Sequence, residues 1–112
     1  MRGNPQSATS VVLKAKRFSH EDAHAISKWV LGRDRSRSVV VVDLSQADDA
    51  TTAAFATLVV LRRRLLKHGR DLRVVGLRDR AQWVYTISRL EQVLPRHIED
   101  LADNDPPLAT AA

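Results

Sequence analysis

His20-Glu21-Asp22-Ala23-His24 has the H-E-x-x-H spacing. On a helix this spacing puts two imidazoles on one face with a carboxylate beside them, the arrangement of a zinc hydrolase. Three features weigh against that chemistry. The match falls in the first turn of a predicted helix rather than in its middle. Asp22 sets a charge between the two ligands, where a buried metal helix takes apolar residues. A third ligand would have to come from His68, His97 or a carboxylate elsewhere in the chain. Two exposed histidines at a helix start, with Glu21 serving the helix dipole, is the preferred reading. No metal and no cofactor is expected.

Asp43, Asp48 and Asp49 cluster where a strand gives way to a loop, a place where open α/β sheets often bind ligands. No glycine-rich phosphate cradle and no P-loop lysine accompanies them. Turn formation and capping are the preferred roles of Asp48 and Asp49. Arg62-Arg63-Arg64, with Lys67, His68 and Arg70, forms a basic cluster. Three consecutive arginines spread over about 200° of a helix, so they form no single groove-reading stripe. A solvated helix face is preferred to nucleic-acid binding. Nothing in the spacing supports an enzyme.

These residues sit in a chain of 112 with 18 Lys+Arg against 13 Asp+Glu, a formal net charge of +5. That charge governs encounter with acidic partners rather than fold. Aromatics are 4% of the chain, too few for a base-stacking platform. Cysteine is absent, which excludes disulfides and thiol chemistry. The longest apolar runs, Val39–Val42 and Leu58–Leu61, are far short of the roughly 20 residues that span a bilayer. The polar stretch from Met1 to Ser10 has no signal-peptide core. A cytoplasmic protein without membrane insertion is expected.

Alternation of strand and helix signals positions the candidate residues. Residues 1–10 read as a flexible arm, and Val11–Lys16 as an edge strand. Ser19 caps a helix with a stripe of Ala23, Ile26, Trp29 and Val30, ending near Gly32. Val39–Leu44 is apolar at consecutive positions, as in a central parallel strand. A polar loop, Ser45–Thr52, leads to a helix from about Ala53 to His68, with Ala54, Leu58, Leu61 and Leu65 on one stripe and Gly69 as its stop. Leu72–Gly76 is a third strand. A helix from Asp79 to about Arg89 has Ala81, Val84 and Ile87 as its stripe. Arg96–Ile98 is a brief last strand, and residues 101–112 form a polar tail. The order β-α-β-α-β-α-β predicts one α/β layer domain over residues 11–100. Its sheet is mainly parallel and four-stranded, with room for an extra edge strand, and helices pack against it. The expected core includes Leu58, Leu61, Leu65, Val40, Val42, Val74, Ile26 and Trp29.

Val41-Val42-Asp43-Leu44-Ser45, a six-residue gap, a small-residue helix start, then Leu58–Leu66 and Lys67-His68-Gly69 resemble the STAS domain. Leu72-Arg73-Val74-Val75-Gly76 and Leu90-Glu91-Gln92-Val93-Leu94-Pro95 are similar to that family's closing half. The resemblance covers roughly Val11 to Asp100. It implies a bacterial, non-enzymatic regulator of the anti-sigma factor antagonist type, whose partner is an anti-sigma factor kinase. Regulated members carry an Asp-Ser-Ser/Thr-Gly-Leu sequence where the loop meets the helix. Here Thr51 stands for the Asp, Thr52 for the first hydroxyl, Ala53 for the usual phosphate acceptor and Ala54 for the Gly. The usual switch is therefore absent, or moved to Thr52 or Thr51. A Thr followed by Ala also resembles the STAS subunits of phospholipid ABC transport systems, which implies an ABC ATPase as the alternative partner.

Ala53, Thr57, Val60 and Arg64 recur at i, i+4, i+7 and i+11, a small and apolar stripe beside the core one. An outward stripe of this kind reads either as a docking surface or as partial burial against a neighbouring helix. The resemblance favours docking and extends the set to Asp43, Ser45, Thr51, Thr52 and Ala56. Pairing of two copies of the chain is a further option.

Overall fold

The computed structural model describes residues 8–32 and 39–97. The elements in order are β1 (Ala8–Val12), β2 (Arg17–Phe18), α1 (His20–Gly32), β3 (Val39–Asp43), β4 (Asp49–Ala50), α2 (Thr52–Leu66), β5 (Asp71–Val75) and α3 (Asp79–Ile87). The class is α/β, and the strand pairings among the described residues are all parallel.

β3 lies at the centre of a three-stranded sheet of order β1-β3-β5. Its four consecutive valines are all buried, as their uninterrupted apolar character predicts. Val39 pairs with Ala8 on one side and Asp71 on the other, and Asp43 with Val12 and Val75, so the strands run level across the sheet. Val40, Val42, Leu72 and Val74 meet Ile26 and Val30 of α1, Leu58, Leu61 and Leu65 of α2, and Val84 of α3 in one core.

The sheet is not four-stranded. Arg96 makes only a single parallel bridge to Val74. Pro95 has no N–H to donate, so the pairing reduces to Val74 N–H on the Pro95 carbonyl and His97 N–H on the Val74 carbonyl. Ile98 lies outside the described residues. Two short strands the sequence does not announce, β2 and β4, form a separate parallel pair. β1 occupies Ala8–Val12 rather than Val11–Lys16. Its pairing stops with its partner, since β3 ends at Asp43, and residues 8–10 of the expected arm are strand.

Helix ends follow local chemistry. The Ser19 hydroxyl accepts from Asp22 N–H at 3.3 Å, while the Asp22 carboxylate accepts from Ser19 N–H at 3.0 Å, a reciprocal cap on α1. α2 ends where Gly69 takes φ +74° and Arg70 N–H returns to the Leu65 carbonyl at 2.9 Å. One expected core residue, Trp29, is outside the core at 42% exposed, and Ile87 of the expected α3 stripe is 59% exposed. At 100° per residue each points well away from its helix's buried line, which runs through Ala23, Ile26 and Val30 in α1 and through Ala81, Val84 and Tyr85 in α3.

Three aromatic rings tie the loop end of the domain together. Phe18 meets Phe55 edge-on at 5.6 Å, and Phe55 meets Tyr85 at 5.9 Å; all three are fully buried. Each such pair contributes about 0.5–1.5 kcal/mol beyond its burial. β2, α2 and α3 are thereby fixed around the Ser45–Thr52 segment.

Candidate docking surface

The segment from Asp43 to Thr52 is held by backbone and side-chain groups from both flanks. Asp43 Oδ1 accepts from Ser45 N–H at 2.9 Å, closing a turn at the end of β3. The Lys16 carbonyl accepts from the N–H groups of Asp48 and Asp49, and Thr51 N–H donates to the Phe18 carbonyl. On the other flank, Arg80 and Ala81 donate to the Asp48 carbonyl, and Arg78 Nε donates to the Ser45 carbonyl at 2.7 Å. The Asp49 carboxylate faces Arg80 at 3.3 Å and Arg17 at 3.7 Å. These are exposed pairs of small energetic worth, but they use Asp49 as a structural anion. Among the described residues no group of three or more His, Cys, Asp or Glu is placed to hold a metal ion. His20, Glu21 and His24 are all exposed on α1.

This fixed loop delivers the chain into α2 with one particular cap. Thr51 is the N-cap, extended at φ −103° and ψ 154°, and its hydroxyl accepts from Ala54 N–H at 3.1 Å. Thr52 is the first helical residue and is exposed. The two candidate acceptor hydroxyls therefore have different jobs: the one on Thr51 is engaged in the helix start, and the one on Thr52 faces solvent. Ala54, where the resemblance has glycine, is fully buried, whereas Ala53 is exposed.

Ala53, Ala56, Val60 and Arg64 form the outward line of α2, all exposed, with Thr57 half-buried at its edge. Val60 is 56% exposed, so burial against a neighbouring helix does not account for it. Asp43 does not join this line. It is half-buried, and its carboxylate is engaged by the turn at Ser45. Of the arginine triplet, Arg63 and Arg64 are exposed, and Arg62 is held by Asp71 at 2.7 Å.

One residue of this surface escapes sequence reading. His20, from the start of α1, places Nδ1 3.2 Å from the Thr57 hydroxyl on α2. No local pattern links positions so far apart. The contact arises because α1 and α2 pack against each other. No family model matches the chain, and no curated protein matches it. No helix among the described residues is long and apolar enough to cross a membrane.

Proposed function

We propose that this chain is a non-enzymatic, STAS-like protein-binding module of the anti-sigma factor antagonist type, which docks on its partner through the start and outward line of α2. The observation that carries the reading is that line itself: Ala53, Ala56 and Val60 stand exposed and uncharged immediately after a loop pinned by β2 and α3. Small residues allow a partner backbone close approach, and a rigid, pre-formed surface loses little ordering entropy on binding. With Ala at position 53 docking is constitutive, or it is governed by the exposed hydroxyl of Thr52. A phosphate on Thr52 would lie at the positive end of α2, so the helix would tolerate it and the effect would fall on docking.

The alternative is a STAS accessory subunit docking on an ABC ATPase. The absence of a hydroxyl at Ala53 favours it, since such a subunit needs no phosphate acceptor there.

The test is co-purification from the native host with wild type, Thr52→Glu and Ala53→Arg, followed by mass spectrometry and melting curves. An anti-sigma factor kinase recovered with wild type and lost with both variants, at unchanged melting, supports the first reading. An ATPase subunit with the same pattern supports the second. A partner retained by both variants removes α2 as the docking site.

A further inference from the structure

We propose that His20 and His24 together bind one late first-row divalent cation, of the copper, nickel and zinc class, as an exposed two-imidazole chelate on α1. The site borders the docking line on α2 and does not depend on it.

The two histidines stand four positions apart on the helix, a spacing that brings Cβ atoms within about 5–6 Å of each other. Their rings lie 25° from parallel with centroids 6.4 Å apart. Both residues are exposed, and they line a cavity of about 320 Å³ together with Glu21, Ala25 and Lys28. An ion bonded to both imidazoles at about 2.0–2.1 Å needs the two nitrogens about 3 Å from each other. Exposed rings reach that separation by turning about their side-chain bonds, with the helix left in place.

Thr57 prepares one of the ligands. Its hydroxyl lies 3.2 Å from Nδ1 of His20 and 3.1 Å from the Ala53 carbonyl. With both bonds made, the hydroxyl donates to Ala53 and accepts from Nδ1–H, which leaves the ring's lone pair on Nε2. Metal-bound histidines are held in this manner, by a partner on the second ring nitrogen that fixes the tautomer and raises the basicity of the first.

Asp22 stands between the two histidines in sequence, but it does not stand between them in space. Its carboxylate accepts from the Ser19 N–H at 3.0 Å and from the Ser19 hydroxyl at 2.9 Å, so it is turned to the helix start. Glu21 sets a negative charge beside the cavity, against the positive charge of Lys28. Among the described residues no further His, Cys, Asp or Glu makes a group of three with the pair. Water therefore completes the coordination, and the site is an open chelate rather than the three-ligand centre of a hydrolase. Imidazole suits copper, nickel and zinc, whereas magnesium takes oxygen ligands. Affinity should be highest for Cu²⁺, lower for Ni²⁺ and Zn²⁺, and lower again for Mn²⁺.

The experiment is a titration of the metal-free, ¹⁵N-labelled full chain with ZnCl₂ and, separately, with MgCl₂, followed through the imidazole nitrogens. A one-to-one, saturable transition that moves His20 and His24 together is expected with Zn²⁺, and none with Mg²⁺. Calorimetry with Cu²⁺, Ni²⁺ and Mn²⁺ gives the order of affinities. His20→Ala and His24→Ala should each weaken Zn²⁺ binding at least about tenfold, because the remaining imidazole loses a neighbour held at high effective concentration. Both positions are exposed, and melting curves check that the variants fold. His68→Ala should titrate like wild type. Three results would overturn the proposal: separate saturation of the two rings, wild-type affinity in either single variant, or a transition that follows His68 or His97. Each would mean an adventitious ion only. Should a variant fail to fold, the wild-type spectra decide alone, because one shared ion must move both rings with a single binding constant.

Discussion

The hydroxyl of Thr57 sits between two partners, Nδ1 of His20 at 3.2 Å and the carbonyl of Ala53 at 3.1 Å, and it has one hydrogen to give. A carbonyl can only accept, so a bond to Ala53 uses that hydrogen; with both bonds made, the hydroxyl accepts from His20 and the imidazole carries a hydrogen on Nδ1. The start of α1 is thus bonded to the middle of α2, beside the exposed line at Ala53, Ala56 and Val60.

Imidazole ¹⁵N spectra should accordingly show neutral His20 as the Nδ1–H tautomer. Thr57→Ser should preserve that state. Thr57→Val should release it, at a stability cost of about 1 kcal/mol or less, since the bond is exposed to water. An unchanged tautomer in Thr57→Val would mean that the ring is set by some other contact.

Thr51 and Thr52 should separate cleanly in urea unfolding. Thr51→Ala removes the hydroxyl that accepts from Ala54 N–H and should cost about 1 kcal/mol. Thr52→Ala removes an exposed hydroxyl and should stay within about 0.5 kcal/mol of wild type. Thr51→Ser should recover most of the cap. Equal losses at both positions would contradict the assignment of Thr51 as N-cap.

The α/β class, the central place of Val39–Val42, the start of α1 at Ser19 and the stop at Gly69 were all legible in the sequence, whereas the return bond from Ser19 N–H to the Asp22 carboxylate was not. Each of the four depends on local chemistry: a run of β-branched residues, a hydroxyl that can cap free N–H groups, a residue without a Cβ penalty at positive φ. Three other things were not legible. The β2–β4 pair rests on two residues from each strand, too few for any periodicity to register. Trp29 fell on the expected stripe because i+3 steps drift by 60° each, and only the position of the sheet decides which side of the drift is buried. His20 came beside Thr57 through tertiary packing alone. The line Ala53, Val60 and Arg64 was readable because helical spacing places it, and its exposure follows from the core line on the opposite side.

The same substitution should destabilise at two glycines and stabilise at a third. Gly76→Ala meets both a positive φ of +77° and a Cβ contact of 2.7 Å with Ser45 N, and should cost at least about 1–3 kcal/mol. Gly69→Ala has the positive φ of +74° but open space, and should cost about 1–2 kcal/mol. Gly32→Ala, in the last turn of α1 with nothing within 4 Å, should stabilise by about 0.5–1 kcal/mol. Chemical denaturation of the three variants gives the ranking directly. A neutral Gly76→Ala would show that the turn between β5 and α3 is looser than its contacts imply.

Asp71 gives the fold an acid-sensitive contact. Burial alone would raise its carboxyl, but the bonds from Arg62 Nε at 2.7 Å, from Leu72 N–H at 2.7 Å and from Arg73 Nε at 3.0 Å outweigh that and hold it below the ordinary 3.8. The folded chain therefore binds fewer protons at this site than the unfolded chain does. The stabilisation is fully present above the unfolded value of about 3.9 and is lost as pH falls through the lower folded value. Asp71→Asn keeps the shape and one acceptor oxygen but removes the charge. At pH 7 it should cost about 1.5–3 kcal/mol, the range for hydrogen bonds to a charged group. Arg62 also donates to the Val93 carbonyl at 3.3 Å, so it keeps one partner in the variant. The deficit against wild type should shrink steadily below about pH 4. Urea unfolding of both proteins at pH 7, 5, 4 and 3 measures this. A deficit that stays the same from pH 7 to pH 3 would show that Asp71 acts through packing and hydrogen-bond geometry rather than through its charge.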